Sequence, residues 1–191
     1  MTKTRLEAFS DGVFAIIITI MVLELKVPHG ATLQDLSHLS SKFISYVLSF
    51  LYVGIYWNNH HHLMHTVQKV KATILWSNLF LLFCLSLTPF ASAWMGENYF
   101  APLPVALYGF SLLLSGVAYY LLTRSIISSH GGEHSILAKA VGKDFKGKTS
   151  VVLYLVAIPI SFWCEWVAFS IYCGVALMWL VPDKRIENTL S

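Results

Sequence analysis

Arg5-Leu6-Glu7-Ala8-Phe9-Ser10-Asp11-Gly12-Val13-Phe14-Ala15-Ile16-Ile17-Ile18-Thr19-Ile20-Met21-Val22-Leu23 opens as a polar helix start and becomes almost wholly apolar after Asp11. An arginine and an aspartate so near an apolar run are rare in membrane helices, because charge at that depth is costly. The pair therefore marks a candidate functional region. The remaining sequence agrees with a membrane setting. Of the 191 residues, 56% are hydrophobic and 12% charged, whereas a soluble domain carries about a quarter charged residues. Too few charges remain to cover a water-facing surface. The expected class is a single all-α, polytopic membrane domain over residues 1–191.

Charge-free runs place the spans, since the hydrocarbon core needs about 20 apolar helical residues. Phe43 to Gln68, Ala72 to Gly96 and Asn98 to Thr123 each reach that length without Asp, Glu, Lys or Arg. The first segment is charge-free only from Gly12 to Leu23, so it spans only if helix continues through Asp11 and Glu24. Thr149 to Pro182 is too long for one span and barely long enough for two. Pro159 and Glu165 near its middle favour a hairpin of two short helices. Six transmembrane helices follow, at 4–27, 42–65, 72–96, 101–125, 149–163 and 165–182.

That count puts 11 of the 13 Lys and Arg on one side: Lys3, Arg5, Lys69, Lys71, Arg124, Lys139, Lys143, Lys146, Lys148, Lys184 and Arg185. Only Lys26 and Lys42 lie opposite. Cytoplasmic loops carry the basic excess, which predicts a multi-pass cell-membrane protein with both termini in the cytoplasm. Lys3 and Arg5 before an apolar run imitate a signal peptide, yet no small-x-small cleavage site follows, so the segment reads as a retained helix. Cys84, Cys164 and Cys173 all fall in apolar stretches, where cysteine packs as a small hydrophobe, and no structural disulfide is expected.

Thr4 and Glu7 offer a capping box for helix 1, and Pro28, His29 and Gly30 stop it near Val27. At about 100° per residue, Gly12, Ile16, Thr19 and Leu23 share one narrow stripe with Ile20 at its edge. Arg5 and Phe9 continue the line, and Asp11 lies near a right angle to it. The stripe reads equally well as a lipid or packing face, and Thr19 can satisfy itself on the carbonyl one turn back.

Residues 28–42 form an external connector. Helix 2 carries Ser45, Tyr46, Ser49, Tyr52, Tyr56 and Trp57 and ends in Asn58-Asn59-His60-His61-His62-Leu63-Met64-His65, level in depth with Arg5 to Asp11. A buried carboxylate needs donors, so Trp57, Asn59 and one histidine are expected to receive Asp11 and Ser10. His61 and His65 stand at i, i+4, a spacing used for zinc. A membrane metalloprotein or enzyme using the His60–His65 cluster is thus an alternative, although no Glu or Cys of usable spacing lies nearby. Protonation of these histidines offers a route to pH sensitivity. In helix 3, Asn78 can join the same polar cluster, and Pro89 predicts a kink. Helix 4 reads as scaffold, with Ser111, Ser115 and Gly116 allowing close packing. The basic loop 124–148 suits a phospholipid surface. No paired carboxylates or Ser/His/Asp arrangement is placed for catalysis, so no enzyme, cofactor or nucleic-acid partner is expected. A secondary transporter needs broken helices and a midplane site, for which only Pro89 and Pro159 offer any hint.

Arg5-x-x-x-Phe9-Ser10-Asp11 followed by Gly12 and an Ile-rich helix resembles the signature of the transmembrane protein 175 family, potassium-permeable channels represented in animal endosomes and lysosomes. Tyr56-Trp57-x-Asn59-His60-His61, Trp76-x-Asn78 and Thr88-Pro89-Phe90 extend the resemblance through helices 1–3; helices 4–6 agree only in length and order. A chain with one six-helix repeat resembles the prokaryotic form, which implies a homotetramer with helix 1 central and pore-lining. The resemblance also implies potassium as the permeant ion. It assigns the pore constriction to Ile16, Ile20 and Leu23 and a potassium-preferring layer to Thr19. Arg5, Phe9, Ser10, Asp11, Trp57, Asn59, His60, His61 and Asn78 fall in the signature and its structural cluster, with no metal ligand among them. No Thr-Val-Gly-Tyr-Gly filter occurs, so a modest preference for potassium over sodium is expected, set by a narrow apolar ring and hydroxyls.

Overall fold

Thr2, not Thr4, starts the first helix. In the computed structural model, which describes residues 2–132, 137–138, 142 and 144–180, the Thr2 hydroxyl accepts from Arg5 N and α1 runs Lys3–Leu23. The expected Thr4–Glu7 capping box gives way to a Lys3–Glu7 contact at 3.8 Å. The helix stops at Leu23, a turn short of Val27. Its 21 residues make a rod of about 31 Å, enough for the hydrocarbon core, and stopping there leaves Glu24 and Lys26 outside the rod. Lys139, Lys143, Lys184 and Arg185 lie outside the described residues, as do the last two residues of the sixth expected span.

The connector contains a short helix that was not expected, α2 (Leu33–Ser37), started by a reciprocal capping box between Thr32 and Asp35. The Thr32 hydroxyl and backbone hold the Asp35 carboxyl below its ordinary range. Next comes α3 (Ser40–His65). The third expected helix divides at Leu87 into α4 (Ala72–Ser86) and α5 (Thr88–Glu97). Pro89 occupies the first turn of α5, where its missing N–H costs least, so the predicted kink is a change of helix. Then α6 (Pro102–Ser129) runs about a turn past its expected end, and α7 (Phe145–Ile160) and α8 (Glu165–Leu180) form the hairpin. Pro159 sits in the last turn of α7 and Glu165 in the first turn of α8, where the helix dipole favours a carboxylate. Between them Cys164 is exposed; Cys84 is the buried cysteine, and all three are free. No strand occurs among the described residues. Among the described residues, three segments, Lys3–Leu23, Ala72–Glu97 and Pro102–Ser129, are long and apolar enough to cross a membrane by length and composition.

Two cores hold the helices together. In one, Leu6, Phe14, Ile17 and Met21 of α1 meet Val53, Leu81, Leu85 and Leu122. In the other, Tyr52, Met95, Tyr108, Tyr154 and Tyr172 gather between α3, α5, α6, α7 and α8. The buried tyrosines spend their hydroxyls internally: Tyr52 donates to the Tyr172 carbonyl, Tyr154 to Tyr52, and Tyr172 to the Val105 carbonyl. A buried hydroxyl without a partner costs free energy, so these bonds permit the burial.

Small residues set the approach of α3 to α5. Ser41 donates to the Gly96 carbonyl at 2.8 Å, and Ser49 reaches Ser92 at 2.7 Å. A Cβ at Gly96 would stand 2.5 Å from Ser45 Oγ and 2.8 Å from Lys42 Cα. On α6 the tight glycine is Gly109, against Tyr172, whereas Gly116 has room; the sequence pattern does not distinguish the two. We expect Gly96→Ala to lower stability by about 1–3 kcal/mol through overpacking. Gly54→Ala, where a Cβ meets nothing within 4 Å, serves as the neutral control in thermal unfolding of the detergent-solubilised protein.

Candidate functional site

Helix α1 presents two unlike faces. Leu6, Ser10, Phe14, Ile17 and Met21 are buried against the bundle, while Phe9, Ile16, Ile20 and Leu23 face outward. The contrast between neighbours is sharp, with Ile17 2% exposed and Ile16 59%. Leu23 is 72% exposed and Phe9 50%. Arg5, Gly12 and Thr19 are exposed on the same side. The whole expected stripe therefore lies on the side of α1 that the chain itself leaves uncovered.

Thr19 donates its hydroxyl to the Ala15 carbonyl at 2.8 Å. This bond uses the hydroxyl proton, so the oxygen offers only lone pairs to whatever passes its exposed face. A hard cation takes oxygen lone pairs of this kind.

The other face of the signature is tied to α3 and α4. Trp57 Nε1 donates to Asp11 Oδ1 at 2.9 Å. Ser10 is fully buried and donates to Leu6 O at 2.9 Å. With its proton spent there, Ser10 must accept from Asn78 Nδ2, 3.0 Å away. That turns Asn78 Oδ1 toward His60 Nε2 at 2.7 Å. An amide oxygen can only accept, so His60 carries its proton on Nε2. Phe14 lies against the same ring, with centroids 5.5 Å apart. The chain Leu6–Ser10–Asn78–His60 thus joins α1, α4 and α3 through groups that are almost wholly dry.

Two expected contacts are replaced. Asn59 turns its amide onto the Ile55 carbonyl at 2.8 Å and takes no part in receiving Asp11, because helical spacing places it away from Trp57. No described histidine hydrogen-bonds Asp11; the histidine contact goes to Ser10 through Asn78. Arg5 and Phe9 belong to the open face and not to the anchor. His61 stacks on Trp57, centroids 6.3 Å apart, and its Nε2 lies 3.2 Å from that of His65. Among the described residues no three His, Cys, Asp or Glu side chains gather to hold a metal, and His60 commits Nε2 to Asn78. A resident metal centre in the His60–His65 cluster therefore finds no support.

One contact was not foreseen. His130, at the end of α6, accepts the backbone N–H groups of Gln68 and Lys69 on Nε2, both at 3.1 Å, and donates from Nδ1 to the Ile126 carbonyl. Lys3 Nζ donates to the His65 carbonyl just before that turn. Nothing in local spacing announces a contact across 62 residues.

Comparisons with known proteins place these features in a wider setting. Residues 5–89 match the family model described as endosomal/lysosomal potassium channel TMEM175. The chain is similar to a potassium channel of Chryseobacterium sp. (strain P1-3), with 54% identity over all of this chain and 99% of that one. It is also similar to the human endosomal/lysosomal proton channel TMEM175, 37% identical over 36% of this chain and 16% of that protein. Among solved structures, that of a lysosomal potassium-selective channel TMEM175 homolog from Chamaesiphon minutus superposes with a TM-score of 0.83 at 27% identity, covering 95% of this chain and 97% of the other.

Proposed function

Because the chain belongs to the TMEM175 family, we propose that it is a potassium-permeable channel of the cell membrane, passive and without catalytic activity. The bacterial relatives and the structural neighbour are named as potassium channels, and that supports the choice of ion. One observation carries the mechanism: α1 exposes an apolar stripe with one hydroxyl in it while packing its other face on the bundle. A single stripe cannot enclose a path, but four around an axis can. Closed cyclic symmetry supplies such an arrangement from identical subunits, so the functional unit is a homotetramer with α1 at its centre.

In this reading one six-span domain covers residues 1–191, with α4 and α5 together making one span and α2 lying in the connector. Both termini face the cytoplasm. Ile16, Ile20 and Leu23 form the narrow apolar rings, which impede ions by dewetting. Thr19 supplies hydroxyl oxygens between them. Arg5 and Phe9 flank the mouth. Ser10, Asp11, Trp57, His60, His61 and Asn78 hold the pore helix to its scaffold, so movement of α3 and α4 is passed to pore width. Potassium is the permeant and no cofactor is needed.

Potassium flux into liposomes containing purified protein tests the reading. Wild type should pass potassium, and Thr19→Ala should lower the potassium-to-sodium permeability ratio by a few-fold. A ratio unchanged by Thr19→Ala removes that residue from selectivity; absence of flux in wild type removes the channel.

A further inference from the structure

The rings of His61 and His65 are left over from the anchor. They stand one turn apart at the C-terminal end of α3, are exposed, and turn Nε2 toward Nε2 across 3.2 Å with the rings nearly perpendicular. Only one proton fits between two such nitrogens, so one ring donates and the other offers its lone pair. A first-row metal ion binds histidine nitrogen at about 2.0–2.1 Å. An ion that far from both nitrogens, at their present 3.2 Å separation, would see them at an angle of about 100°, close to tetrahedral. Rotation of the two side chains is what aims both lone pairs at that point. The backbone already has the bite of a chelate.

We propose that His61 and His65 form a two-point site for a divalent transition-metal ion such as zinc. It differs from the resident centre dismissed above. Two protein ligands leave the other positions to water, and the exposed rings let the ion exchange. On binding, the ring that held its proton on Nε2 loses it to water and takes one on Nδ1, so both Nε2 lone pairs reach the metal and each ring stays neutral. Acid competes with the metal for the same lone pairs. The C-terminal end of the α3 dipole favours a cation there, with the Leu63, Met64 and His65 carbonyls already taken by Thr66, Val67 and Lys3. Of the charged groups at this end of the fold, Lys3 is drawn to the His65 carbonyl and faces Glu7, which offsets its repulsion. Because His61 also stacks on Trp57, the donor to Asp11, an ion that fixes His61 stiffens the anchor of α1. The site rests on the two rings and stands whether or not the chain conducts potassium.

Titration calorimetry of zinc chloride into the full, tag-free chain in detergent micelles decides it. The expected result is one zinc per chain at neutral pH, weaker binding at pH 5, and no binding of magnesium, which prefers oxygen ligands. His61→Ala and His65→Ala should each weaken binding at least about tenfold, the loss typical of removing even a supporting group from a metal site. His62→Ala should bind as wild type. Equal zinc binding in wild type and His65→Ala, or none in wild type, would overturn the site. If His61→Ala does not fold, His65→Ala, whose ring lies outside the anchor, carries the decision.

Discussion

Ile16→Asn is expected to raise potassium leak through reconstituted protein at least about tenfold, equivalent to some 1.4 kcal/mol off the conduction barrier. The size follows from the kind of barrier proposed. A narrow ring of aliphatic side chains excludes water, and an ion crossing it sheds hydration without replacement. An amide at the same position wets the ring and offers an oxygen. The fold should tolerate the change, because Ile16 is 59% exposed in the chain and surface substitutions usually move stability by no more than about 0.5 kcal/mol. Its neighbour provides the contrast. Ile17 is 2% exposed inside the core, so Ile17→Asn should cost several kcal/mol by burying an unpaired amide; it should reduce the yield of folded protein, not increase leak. The measurement is fluorescence-reported flux normalised to the amount of incorporated protein. Unchanged leak in Ile16→Asn would move the constriction to Ile20 or Leu23.

That contrast shows why the two faces of α1 were only partly legible. Every position from Val13 to Leu23 is apolar except Thr19, so no polar face marks which side packs. Helical spacing alone grouped Ile16, Thr19 and Leu23, and the family resemblance gave the group a role. The burial pattern then separates it from Phe14, Ile17 and Met21. The polar contacts were legible in kind but not in detail. Ser10, Asp11, Trp57, His60 and Asn78 stand out as polar groups at one depth; burial obliges Ser10, His60 and Asn78 to find partners, whereas Asp11, expected to be buried, and Trp57 pair at an exposed position. Which partner each finds depends on rotation about three helices, and spacing within one helix cannot supply that. Asn59 illustrates the limit, since its own Ile55 carbonyl one turn back satisfies it locally. An element end was legible where a charge punctuates the chain, as at Glu165, while Pro89 announced a kink and the chain changes helix there. Ends were missed where length decided, as at Leu23.

Asn78→Leu is expected to destabilise the protein by about 2–4 kcal/mol and to lower the amount of assembled channel. Asn78 is fully buried and serves two partners at once, accepting from His60 Nε2 and donating to Ser10 Oγ. Leucine has similar bulk, so the loss is one of satisfaction more than of packing. His60 Nε2–H is then left without an acceptor at a site 2% exposed, and a buried unsatisfied donor costs about 1–3 kcal/mol. The Ser10 side is cheaper, because its hydroxyl keeps the Leu6 carbonyl. The two halves can be separated. Ser10→Ala removes the acceptor for Asn78 Nδ2 together with the hydroxyl's own bond to the Leu6 carbonyl and should cost about 0.6–2 kcal/mol, the range for hydrogen bonds between membrane helices. In the Ser10→Ala/Asn78→Leu double variant, the Ser10 substitution should add less than it costs alone, since its bond to Asn78 is already gone and only the one to Leu6 remains to be lost; the cycle then reads the coupling directly. Asn78→Asp, which keeps the acceptor for His60 and loses the donor to Ser10, should fall between wild type and Asn78→Leu. Thermal unfolding in detergent, followed by size-exclusion of the surviving assembly, measures all four. Additive losses in the double variant would mean that Ser10 and Asn78 act separately, and that α1 is held to α4 by apolar packing alone.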